Sequence, residues 1–136
     1  MRRVTPIVLV ASAFLLVLDI VGALAGQPLG FPYSPLSVLS LLTYLSVGLL
    51  AGWRAGFTAG LVAAAAVGFL DGTMGPMVAW LIGPGPVGQT IAEPRIFAYG
   101  ITVVTATAAA AGLIGALAGR WLERRRGIRN SRVVPH

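Results

Sequence analysis

Residues 35–72 read PLSVLSLLTYLSVGLLAGWRAGFTAGLVAAAAVGFLDG, two apolar runs interrupted by a single arginine. The runs Pro35 to Trp53 and Gly56 to Leu70 are each close to the ~20 residues that cross a bilayer as a helix, the second being short. Trp53-Arg54-Ala55 leaves room only for a tight turn, so the pair reads as a helical hairpin. Ser34-Pro35 supplies a helix start, a capping hydroxyl followed by proline at the first helical position. Working outward, Val4 to Ala25 and Ile96 to Trp121 give two further apolar runs. The fold expected is all-α, a polytopic membrane protein built as a bundle of four transmembrane helices.

Composition requires the same class. The chain has 136 residues, 57% of them hydrophobic and only 10% charged, with a mean hydropathy of +0.86. That is more apolar surface than a soluble domain of this size can bury, and the excess must face lipid. Gly, Ala, Leu and Val predominate without alternating strand-length segments, which selects helices over an outer-membrane barrel. Absence of cysteine excludes disulfides, thiolate catalysis and Cys-ligated metals.

Charge gives orientation. Arg2, Arg3, Arg54, Arg120, Arg124, Arg125, Arg126, Arg129 and Arg132 lie at one end of the predicted bundle, and Arg95 alone lies at the other. The positive-inside rule then predicts an inner-membrane, multi-pass protein with both termini cytoplasmic. A competing reading makes Arg2-Arg3 the start of a secretory signal cleaved after Ala23-Leu-Ala25, but Asp19 interrupts where its hydrophobic core should continue. The arginine-only basic set and the Ala and Gly content fit a GC-rich bacterial genome.

Residues 1–121 are thus expected to form the membrane domain and 122–136 a basic cytoplasmic tail. The tail arginines Arg124, Arg125, Arg126, Arg129 and Arg132 are expected to grip anionic lipid. Little aromatic interleaving and no recognised nucleic-acid motif argue against a nucleic-acid partner. His136 stands alone, and no metal or cofactor is expected. Between Asp71 and Pro94, Gly and Pro bracket the apolar piece Met77 to Ile82, predicting a short interfacial or re-entrant helix in the third connection. Thr90 and Glu93 have capping-box spacing, placing the start of the fourth helix near Ile91.

Two constellations carry chemical content. Small residues recur every four positions: Gly48 and Gly52, then Gly56, Gly60, Ala64, Gly68 and Gly72, with Gly112, Ala116, Gly115 and Gly119 on the last span. Such ridges let membrane helices approach closely, within one chain, in a homo-oligomer or against a membrane partner. Intramembrane charge is the second. Asp19 shares a face with Ser12, Gly22, Ala23 and Gly26; Asp71 with Ala64 and Gly68; Arg95 with Tyr99 and Thr102. These faces predict a polar cluster of Asp19, Asp71, Arg95, Tyr99 and Thr102 able to bind an ion or substrate. A carboxylate at that depth must be ion-paired, hydrogen-bonded or protonated, and Asp19 paired with Arg95 is the structural solution.

No His cluster, activated-serine motif, phosphate loop or HExxH is present, so no enzymatic activity is expected. In size and span number the chain is similar to the small multidrug resistance transporters and the dimeric fluoride channels. The likeness is confined to architecture. Asp19 is the one counterpart to the transporters' first-helix glutamate, the fluoride-channel signature stretches are absent, and the strong arginine bias departs from both. Two functions follow from the residues: a structural or accessory membrane component packed through its glycine faces, or an oligomeric transporter of a small solute, proton or cation using an intramembrane aspartate.

Overall fold

A computed structural model describes residues 4–29, 34–82 and 93–131. Among these residues the chain is helical, with α1 (Thr5–Leu29), α2 (Ser34–Ala55), α3 (Phe57–Ile82) and α4 (Pro94–Ser131). Each contains a stretch long and apolar enough to cross a membrane: Thr5–Leu24, Leu36–Ala55, Phe57–Ile82 and Pro94–Arg125. Only 22–28% of each window is buried inside the bundle, so most of this apolar surface is left to face outward.

Helix ends follow local chemistry. Gly56 ends α2 and starts α3 by itself: its N–H donates to Gly52 O at 3.1 Å and its carbonyl accepts from Gly60 N at 3.1 Å. This demands φ of +92°, which glycine alone adopts cheaply. Trp53, Arg54 and Ala55 therefore belong to α2, not to the turn. At α4, Glu93 O accepts from Phe97 N at 3.0 Å, making Glu93 the cap and Pro94 the first helical residue. The helix thus starts after the position expected near Ile91; Thr90 lies outside the described residues. Helix α1 likewise continues past the expected end of its span at Ala25, through Gly26 to Leu29.

The largest correction concerns α3. A short span ending at Leu70 and a separate interfacial helix at Met77–Ile82 are replaced by one helix of 26 residues that includes Pro76. Proline removes a single N–H, the one that would serve Gly72 O. In an apolar solvent, breaking the helix completely would strand several more backbone groups. Gly72 and Gly75 are packing positions instead of turn formers. A Cβ on Gly72 would lie 3.2 Å from Ile101 Cα and Val104 Cβ, and one on Gly75 would lie 2.8 Å from Asp19 Oδ2.

Packing is organised by small residues. Helices α2, α3 and α4 meet along a ladder in which Gly48 faces Gly112, Gly52 faces Ala116, Gly60 fits against Gly48 and Ala116, and Gly68 sits on Ala108. Gly115 and Gly119 lie against the backbones of Leu45, Leu49 and Trp53. Gly56, by contrast, has nothing within 4 Å of the place a Cβ would take and has no part in the seam. Across the ladder α4 runs parallel to α2 and antiparallel to α3. Among the described residues, helix α1 packs on α3 and more lightly on α2, with no contact to α4. Its buried residues Ala11 and Leu15 join Tyr44, Val47 and Val67 in the core.

Helix α4 is 38 residues long in all, about 57 Å at 1.5 Å per residue and longer than the ~30 Å apolar core. Arg120, Arg124 and Arg125 are exposed on its final turns, and Arg125 lies 3.7 Å over the Trp121 ring. Side chains of Arg126 and Arg129, and all of Arg132, lie outside the described residues.

Two glycines of α4 separate packing from propensity. Gly100 has open space around it, whereas a Cβ on Gly112 would strike the Ala64 Cβ. Gly100→Ala should leave stability unchanged or raise it by up to ~1 kcal/mol through helix propensity. Gly112→Ala should lower it by about 1–3 kcal/mol by forcing α3 and α4 apart. Reversible unfolding in detergent micelles would read both, and equal effects would contradict the seam.

Candidate functional site

Asp19 is the fifteenth residue of α1 and Asp71 the fifteenth of α3. Because α1 and α3 run parallel, both carboxylates come to the same depth, about 21 Å along each helix. They line one small cavity together with Ser12, Leu16, Leu70 and Met74. Tyr44, the eleventh residue of the 22-residue α2, meets Asp71 from a third helix without lining the cavity. Its hydroxyl donates to Asp71 Oδ2, and its ring is buried, 3% exposed.

Why the carboxylates meet there follows from their neighbours. Gly75 is one turn beyond Asp71, and lacking a side chain it lets the Asp19 carboxylate lie against the α3 backbone. Gly68 and Gly72 turn the adjoining face of α3 toward α4, leaving Asp71 on the flank that α1 and α2 cover. Both aspartates are partly buried.

Three of the five predicted cluster members are elsewhere. Arg95 is exposed in the first turn of α4, Tyr99 is 72% exposed, and Thr102 is exposed with its hydroxyl turned back onto Ala98 O at 2.8 Å. Since α1 and α4 do not touch, the expected Asp19–Arg95 bridge is absent. Face periodicity put Arg95, Tyr99 and Thr102 on a protein-facing stripe, whereas all three are exposed, and it carries no information about which helix stands opposite. Among the described residues no basic side chain pairs with Asp19 or Asp71.

Tyr44 was the member sequence reasoning missed. A tyrosine at the centre of an apolar span needs an acceptor for its hydroxyl, and Asp71 was the nearest candidate once α3 is read as a full-length helix. Ser12 was seen as a neighbour of Asp19, but its role is more specific. Ser12 Oγ and Asp71 Oδ1 are both buried, line the same cavity and have no hydrogen-bond partner.

The hydrogen-bonding groups of the site are therefore all oxygens: two carboxylates, a phenol that already donates, and a serine hydroxyl that is free to donate or accept. The cavity holds about 10 Å³, the threshold for one water molecule. Such a set can accept, hold and pass a proton, directly or through one water, and it can coordinate a small bare cation. It has no room for an organic solute. Among the described residues no group of three or more His, Cys, Asp or Glu is placed to hold a metal ion.

Compared with protein-family models, curated proteins and solved structures, the chain shows no match, so its own residues carry the functional argument.

Proposed function

We propose that this is a small carrier or channel of the bacterial inner membrane that binds a proton at the facing Asp19 and Asp71 carboxyls. The observation that carries the reading is two carboxylates within membrane-length helices, lining one cavity, without a basic partner among the described residues. A charge at that depth is stable only when matched by a cation or removed by protonation. No described arginine reaches the pair, and the matching charge is proposed to come from solution. A structural ion pair, the alternative that would make the aspartates architectural, needs the Asp19–Arg95 contact that is missing.

Tyr44 holds one Asp71 oxygen and leaves the other facing the cavity, where Ser12 and Asp19 can share a proton with it. Helix α1 is the element most free to respond, since it rests on α3 and α2 alone while the other three helices interlock. Protonation that removes repulsion between the carboxyls draws α1 toward α3; proton loss relaxes that approach and opens the cavity along its length. A bare monovalent cation is the second ligand this geometry admits. A small organic solute is disfavoured by the cavity's size.

Purified protein in liposomes, with an imposed pH gradient and membrane potential, tests the reading. Proton flux is expected with the native chain and with Arg95→Gln, and a loss of at least about tenfold with Asp19→Asn or Asp71→Asn. Silence of the native chain with protons and with sodium or potassium would overturn the reading and return the protein to a structural or accessory role.

The arginine-rich end is proposed to face the cytoplasm. The cysteine-free chain makes this directly readable. Glu93→Cys should react with a membrane-impermeant maleimide in intact spheroplasts, and Asn130→Cys only after permeabilisation. The reverse pattern would invert the topology.

A further inference from the structure

Helices α1 and α2 are neighbours in sequence yet diverge along much of their length. Between them lies an open groove of about 600 Å³, whose walls are built from Ile7, Val10 and Phe14 of α1 and Leu39, Leu42 and Leu50 of α2. Two hydroxyls also line it, but both are spent on their own helix. Thr43 Oγ1 donates to Leu39 O at 2.9 Å and Ser46 Oγ to Leu42 O at 2.8 Å. The wall presented to an occupant is therefore hydrocarbon. Among the described residues, Arg54, exposed in the last turn of α2, is the one charged residue that lines the groove.

An apolar slot with a cation at its mouth has the polarity of an anionic phospholipid. Leu39 and Arg54 are fifteen residues apart, about 22 Å along the helix, which exceeds the ~15 Å depth of one leaflet's hydrocarbon. An acyl chain fits lengthwise with its phosphate beside Arg54. A second copy of the chain is the poorer occupant. Helices dock in lipid through small residues, and the glycine ridges of α2 are already occupied by α3 and α4. Among the described residues the groove is lined by no glycine and leaves Val10 71% and Leu42 52% exposed, so its branched side chains keep a second helix backbone at a distance while a slender acyl chain can lie between them.

We infer that the α1–α2 groove is a binding site for one anionic phospholipid, its acyl chain between the two helices and its phosphate on Arg54. This site is separate from the Asp19–Asp71 cavity and stands whether or not protons are moved there. It is also separate from the basic tail, whose described arginines Arg124 and Arg125 do not line the groove.

The test is native mass spectrometry of the full chain, purified in mild detergent and exchanged against equal amounts of phosphatidylglycerol and phosphatidylethanolamine. One phospholipid should remain per chain, with phosphatidylglycerol preferred about fivefold, the attraction of one basic residue. Arg54→Gln should level that preference, and Arg54→Lys should keep it. Ser46→Phe, which places a ring in the groove from an exposed position, should displace both lipids. Arg124→Gln with Arg125→Gln should leave the retained lipid and its preference unchanged. A lipid-free native chain, a preference that survives Arg54→Gln or vanishes with the tail variant, or a lipid-free dimer split by Ser46→Phe would each overturn the inference.

Discussion

Close approach of three helix backbones along a glycine and alanine ladder is the constraint on which everything else in this molecule depends. In lipid there is little hydrophobic gain from pressing leucine against leucine, so helices associate where their backbones can come near enough for dense van der Waals contact. Gly48, Gly52, Gly60, Gly68 and Gly112 provide those places, each so close to its neighbour that a methyl group would collide. The ladder fixes α2, α3 and α4 as one unit. Helix α1 has no share in it and is laid on the outside, against α3.

That arrangement decides the chemistry. Had α1 packed beside α4, Asp19 and Arg95 would have met and neutralised one another. Placed on the far flank, Asp19 meets a second acid. The same ladder rotates Gly68 and Gly72 toward α4, which sends Asp71 to the face that α1 covers. A packing pattern thus brings two carboxylates together inside the bundle and keeps Arg95 away from them. The lighter contact between α1 and α2 has its own consequence, an apolar groove that runs to Arg54.

Much of the fold was legible in the residues. Hydropathy located four helices, arginine spacing gave their alternation, and the four-residue repeat picked out the seam glycines other than Gly56, which serves the turn. What was misread has a common physical origin. Gly72, Gly75 and Pro76 resemble a turn when judged by propensity in water. Inside a membrane the cost of stranded backbone groups keeps them helical, and the glycines act as clearances for Ile101 and Asp19. Shortening α3 at Leu70 moved Asp71 to a helix end and hid its match in depth with Asp19 and Tyr44. The Asp19–Arg95 pairing failed for a different reason: periodicity tells which way a residue faces along its own helix and is silent about which helix lies opposite. Only the order of helices in the bundle carries that information.

Helix α1 sets Asp19 against α3 beside Asp71, away from α4, and the chemistry of the site rests on that placement. Disulfide trapping in native membranes tests it most directly, because the chain contains no cysteine of its own. Asp19→Cys combined with Gly75→Cys should cross-link within one chain on mild oxidation, and Asp19→Cys combined with Arg95→Cys should not. Efficient trapping of the second pair, with none of the first, would contradict the helix order and restore the structural bridge.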